Sequence, residues 1–186
     1  MAVSFCAAVG AELGGLPGEA LGVGPVVAGI AAGAWLERAR PAAVVLLGTC
    51  GAYPGGPAVG AVVASARLGL GSAAAAAGLG YVPMAPGPIE GAEWLLERVG
   101  VPRVRVLTVQ AVSTAKALVA AFGAEWEVEH MEAYAVARAC ADRHIPFVAL
   151  LGVANRVGPD AHAEWLRNRR EVEAAVVAVA GRLHAG

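Results

Sequence analysis

Apolar positions along the chain gather in short runs separated by glycine, proline and charged residues. Residues 3–8 (VSFCAA), 42–47 (AAVVLL), 59–68, 104–109, 127–130 and 146–153 (PFVALLGV) predict strands. Two of these, 42–47 and 146–153, are continuous rather than alternating, the pattern of strands covered on both faces. Helices are expected over 25–40, 90–99, 114–122, from Met131 to about residue 142, and over 161–184. Pro25 suits a first helical turn, with Trp35 and Leu36 facing inward and Glu37, Arg38 and Arg40 outward. Residues 10–24 and 69–91 are rich in Gly, Ala and Pro and are expected as loop, with weak helix as the alternative in the second. Strands and helices alternate with no repeat and no linker, which predicts one α/β domain over residues 1–186.

Composition narrows the class. The 186 residues are 58% hydrophobic and 16% charged, with a formal net charge of −1. That suits a compact core and excludes a disordered chain. No basic run is present to neutralise a phosphate backbone, so nucleic acid is not an expected partner. The apolar runs are broken by Gly and Pro, which argues against a membrane span. The opening MAVSFCAAVGAE carries no positive segment, so no signal peptide is expected. Cys6, Cys50 and Cys140 are odd in number and lack CxxC spacing, and read as buried free thiols in a reducing cytoplasm. The sequence has no metal-ligand spacing, no GxSxG and no P-loop, so no metal or cofactor is expected.

Four predicted strand ends carry polar groups: Glu12 after the first, Thr49 in Gly48-Thr49-Cys50-Gly51 after the second, Glu132 after the fifth, and Asn155 after the sixth. Open α/β sheets place ligands at such ends, and comparable positions suggest one shared cleft. Glu132 stands out. Arg138 and Asp142, four apart, form the solvated pair of the helix from Met131. Glu132 lies off that face, with Ala135 and Val136 as its helical neighbours. Two readings are open: a helix-capping Glu bonded to its own backbone, or a buried carboxylate awaiting a partner. Glu12 is likewise either a surface loop residue or a base. Asn155 is either a turn cap or a ligand contact, and Thr49 either part of a plain turn or of a site.

Four segments, in order, resemble the nucleoside phosphorylase and nucleosidase superfamily: Ala8-Val9-Gly10-Ala11-Glu12, Leu47-Gly48-Thr49-Cys50-Gly51-Ala52, Val128-Glu129-His130-Met131-Glu132-Ala133, and residues 150–155. Gly51-Ala52-Tyr53-Pro54-Gly55, and Asn155-Arg156-Val157-Gly158-Pro159 followed by Trp165, are similar to futalosine hydrolase, an enzyme of an alternative menaquinone pathway. The resemblance implies a central mixed sheet flanked by helices, a homodimer, and a small-molecule nucleoside as partner. It implies that Glu132 takes the ribose hydroxyls, that Met131 packs on the sugar, and that Glu12 activates the attacking water. Asn155 then holds the purine, with Thr49, Cys50 and Gly51 near the sugar or the nucleophile.

Departures from the pattern keep other outcomes open. Ala133 stands where the family has Gly, and Ala154 where it has Ser. The Arg common in Leu151-Gly152-Val153 is absent, and the segments after Glu12 and Arg67 look shortened. Leu46 occupies the position of a phosphate-binding Arg in phosphorylases, which favours water as nucleophile, with Arg67 as the alternative source of a cation. His130 reads as a packed or capping histidine, and each of Trp35, Trp94, Trp126 and Trp165 as core or rim. The expectation is an N-ribosyl hydrolase. The alternatives are a phosphorylase of the same fold and a non-catalytic nucleoside-binding homologue.

Overall fold

In the computed structural model, which describes residues 2–184, β1 (Ser4–Ala7) and β2 (Gly18–Ala20) precede helix α1 (Pro25–Ala39). Then come β3 (Val44–Ala52), β4 (Val62–Leu70), the short α2 (Ala73–Ala76), β5 (Ile89–Glu90) and α3 (Glu93–Val99). The chain continues through β6 (Arg103–Thr108), α4 (Lys116–Gly123), β7 (Val128–His130), α5 (Ala133–Ala141), β8 (Phe147–Arg156) and α6 (Ala161–His184).

All eight strands join one mixed sheet. β3 runs parallel to β1 and β8 and antiparallel to β7. β4 runs parallel to β6 and antiparallel to β8, and β6 runs parallel to β7. β3, β8, β4, β6 and β7 therefore close a ring of pairings, from which β1 and β2 extend on one side and β5 on another. Helices cover both faces. Val44 and Leu46 of β3 join the core that packs against α1 and α5, with Leu36 and Val136. Val45 and Leu47 join the core under α3 and α6, with Leu95 and Val176. This double coverage explains why β3 reads as an unbroken apolar run. Among the described residues no helix is long and apolar enough to cross a membrane.

Several boundaries differ from the expectation. Gly48-Thr49-Cys50-Gly51 is not a loop beyond a strand end but the second half of β3. Pairing with β8 continues through Arg156, with a register shift between Cys50 and Gly51, and β7 flanks Gly51 and Ala52. Tertiary pairing on both sides overrides the loop signal of two glycines. Asn155 likewise lies within β8 rather than beyond it. The supposed loop at 10–24 contains a 3₁₀ turn at Gly10–Leu13 and the edge strand β2. The segment 69–91 contains α2 and β5. Helix α5 starts at Ala133 instead of Met131, with Glu132 at its N-cap.

Candidate active site

Glu12, Thr49, Cys50, Gly51, Met131, Glu132 and Asn155, scattered over 144 positions of sequence, all line one cleft of about 570 Å³. The ends of β1, β3, β7 and β8 bring them there, and the start of α6 supplies the rim through His162, Trp165 and Arg169.

Glu132 is 4% exposed, and its side chain does not cap its own helix. The first amides of α5 are satisfied by others. His130 Nδ1 accepts the N–H groups of Glu132 and Ala133, each at 3.1 Å. Thr108 Oγ1 accepts that of Tyr134 at 2.7 Å. The capping alternative is thus settled by His130 and Thr108, which leaves the Glu132 carboxylate for other partners. Its Oε1 accepts the backbone N–H of Gly24 at 2.7 Å. Its Oε2 lies 3.3 Å from His130 Nδ1, itself an acceptor, and takes no hydrogen-bond donor among the described residues. A buried carboxylate oxygen with an unfilled acceptor site, facing a cleft, is suited to a ligand's hydroxyl groups.

Glu12 reaches back along its 3₁₀ turn, where Oε2 accepts the Val9 N–H at 3.2 Å. Burial raises its carboxyl from the ordinary 4.5 to about 7, and the charges of Glu132 and Glu173 push the same way. The Val9 and Thr49 backbone bonds pull back only in part. A carboxylate poised near neutrality in a cleft fits a general base. Asn155 is 7% exposed, and its Nδ2 donates to its neighbour's carbonyl, Arg156 O, at 2.9 Å. A Cβ on Gly51 would come within 2.8 Å of that Nδ2, so the absence of a side chain at Gly51 is what admits the amide to the cleft. Thr49 Oγ1 accepts the indole N–H of Trp165 at 3.0 Å, which pins the rim to β3. Trp165 is stacked with His162 at 5.9 Å and lies under the Arg169 guanidinium at 4.8 Å.

Residues not singled out from the sequence also matter. Glu129, 4% exposed, lines the cleft and holds two donors: Tyr53 O–H at 2.6 Å and the Ser113 N–H at 2.9 Å. Glu129 directly precedes His130 and Met131 in the same motif, and nothing in spacing marks Tyr53 as its partner. Arg67, weighed as a cation for the site, instead faces Glu90 across the β4–β5 pair at 3.7 Å and does not line the cleft. Among the described residues Arg169 is the only Lys or Arg lining it. Cys50 is a buried free thiol whose pKa burial raises, so it is no nucleophile.

Comparison with known proteins gives a consistent result. A family model described as the phosphorylase superfamily matches residues 15–185. The match begins after Glu12, so that residue's candidacy rests on its place in the cleft. The chain is 32% identical over 161 residues to a futalosine hydrolase of Thermus thermophilus, covering 77% of this chain and 71% of the relative. Among solved structures it resembles a 5′-methylthioadenosine/S-adenosylhomocysteine nucleosidase from Colwellia psychrerythraea in complex with adenine. That match has a TM-score of 0.86 and 17% identity, over 100% of this chain and 95% of the other. It also resembles the futalosine hydrolase of Helicobacter pylori, with a TM-score of 0.84 and 12% identity over 98% and 97% of the two chains. At these identities the structural matches speak to the fold, a mixed α/β sheet flanked by helices.

Proposed function

The chain belongs to the phosphorylase superfamily, and from that premise we propose that it hydrolyses the N-glycosidic bond of a purine-type nucleoside, futalosine being the leading substrate. The observation that carries this reading is the convergence of Glu12, Glu132 and Asn155 on one open cleft whose deep wall is anionic. The named relative from Thermus thermophilus supports the choice of nucleoside.

The proposed roles join the family resemblance to the site's geometry. Glu132 Oε2 accepts the ribose hydroxyls, while Oε1 stays anchored on Gly24. Met131 packs against the sugar. As the glycosidic bond breaks, the ribosyl group gains positive charge, and the fixed carboxylate stabilises it. Glu12 takes a proton from the attacking water, a step worth ~10²–10⁴-fold. Asn155 presents an amide oxygen and one remaining N–H to the base. An amide cannot protonate a leaving adenine, which favours a 6-oxopurine. Thr49, Cys50 and Gly51 floor the sugar side of the cleft.

Water is favoured over phosphate by charge. The ionic groups that act on Glu12 are Glu132 and Glu173, both anions. Arg169 lies over Trp165 at the rim. A phosphate dianion beside Glu12 would meet carboxylates, while Arg169, the one cation lining the cleft among the described residues, is engaged with the Trp165 ring. Release of free base in phosphate-free buffer tests the reading. A homodimer is part of the proposal as well. Val26, Val27 and Ile30 of α1 are 65%, 54% and 73% exposed, an apolar strip unusual on a free surface.

A further inference from the structure

We propose that His130 is a neutral hydrogen-bond donor that holds the attacking water for Glu12, with its ring aimed by the backbone at the start of α5. The inference rests on the hydrolase reading above and concerns a residue for which the sequence suggested only packing or capping.

The tautomer comes first. Nδ1 accepts two amide N–H groups, those of Glu132 and Ala133, both at 3.1 Å. Nδ1 also lies 3.3 Å from Glu132 Oε2, but two amide hydrogens already point at it, and a ring nitrogen that accepts them cannot carry the proton, which assigns the proton to Nε2. The ring is also neutral. Burial lowers its pKa from 6.5, although the nearby Glu132 carboxylate pulls upward. His130 therefore offers the cleft one N–H and no base.

The direction of that N–H comes next. Nε2 has no protein hydrogen-bond partner among the described residues, although His130 is 5% exposed and lines the cleft. The space over Gly48 shows what it faces. A Cβ placed on Gly48 would lie 2.8 Å from His130 Nε2, 3.5 Å from Glu12 Oε1 and 3.7 Å from Leu151 Cδ2. The Nε2 donor and the Glu12 acceptor thus approach the same side of Gly48, beside an apolar wall, and can do so because residue 48 has no side chain. Both also line the cleft. A water held between them at the cleft accepts from Nε2–H and donates to Glu12 Oε1.

The step balances without further reagents. The water oxygen bonds to the anomeric carbon, and the carbon–nitrogen bond to the base breaks, the electron pair leaving with the base. Glu12 receives one water proton, and the base gains a proton from solvent. The His130 proton stays on Nε2 throughout. Because Nδ1 is committed to two amides, His130 cannot act as the base in place of Glu12.

Two substitutions separate holding water from capping the helix. His130→Asn can keep an acceptor near the Nδ1 position but removes the Nε2 donor. His130→Gln can keep a donor near the Nε2 position but loses the cap. The expected result for His130→Asn is near-native thermal stability, a KM within a few-fold of wild type, and a kcat lower by roughly 10²-fold, the scale of losing one preorganised donor. His130→Gln is expected to be less stable but to retain more kcat. Wild-type kcat in His130→Asn would overturn the proposal and leave His130 a cap. Nitrogen-15 NMR of the wild-type ring gives a reading independent of any variant's folding. A neutral ring protonated at Nε2 is expected; an Nδ1–H tautomer or an imidazolium at neutral pH would overturn it. Absence of base release by the wild-type protein from every nucleoside tried would instead defeat the hydrolase reading itself, whatever the NMR shows.

Discussion

The backbone N–H of Gly24 donates to Glu132 Oε1 at 2.7 Å across 108 positions of sequence. This bond ties the loop that enters α1 to the start of α5. It holds one carboxylate oxygen still and leaves the other toward the cleft. Glu132→Gln keeps an oxygen for Gly24 but removes the charge. Hydrogen bonds to a charged group are worth about 1.5–3 kcal/mol each, and the proposed role of Glu132 involves two ribose hydroxyls. The variant should fold normally and lose at least ~10²-fold in kcat/KM. Circular dichroism and steady-state base release check both halves.

Glu12 should trade stability for activity. Folding raises its carboxyl from 4.5 to about 7, so between those values the folded protein holds a proton that the unfolded chain releases. The contribution of this group to stability is full below pH ~4.5 and is lost as pH rises through ~7. Glu12→Gln is uncharged in both states. It should melt higher than wild type at pH 8 and close to it at pH 4.5, while losing turnover at both. Wild-type kcat/KM should rise with pH to a plateau above ~7, as the base ionises. Melting curves and a pH–rate profile decide this.

Gly51→Ala should disturb Asn155 directly. The new methyl would sit 2.8 Å from Asn155 Nδ2 and 3.1 Å from Val157 Cγ2. Overpacking of this kind costs typically ~1–3 kcal/mol. Paired with Asn155→Ala, which vacates the space, the loss of stability should be smaller than the sum of the single changes. Strict additivity would show that the two side chains do not compete.

Trp165→Phe removes the N–H that reaches Thr49 Oγ1 at 3.0 Å but keeps a ring over the cleft. A neutral hydrogen bond of ~0.5–1.5 kcal/mol corresponds to a change of roughly 2–10-fold. The effect should fall on KM, and Thr49→Val should produce no further change in the Trp165→Phe background.

Ile30→Glu places a charge on the exposed apolar strip of α1. If that strip is the contact between copies, analytical ultracentrifugation should show a dimer for wild type and a monomer for the variant.

The sequence carried a good part of this picture. The continuous apolar runs at 42–47 and 146–153 are central strands because both faces of the sheet are covered by helices. Polar groups near strand ends meet in one cleft because the strands meet there. What could not be read was tertiary in origin. Gly48 and Gly51 look like breakers in isolation, yet in β3 they make room for His130 Nε2 and the Asn155 amide. By residue type alone Glu132 reads as a cap of its own helix. Only the fold shows that His130, two residues earlier, does the capping. The bond from Tyr53 to Glu129 spans 76 positions with no periodic signal.

Hydrolysis at the carboxylate-lined cleft is best checked by chromatographic release of free base from futalosine, inosine, adenosine and methylthioadenosine, each with and without phosphate. Release without phosphate is expected, with futalosine best, and that release should be lost in Glu12→Gln. Release only when phosphate is present, or none from any of these nucleosides by the folded protein, would contradict it.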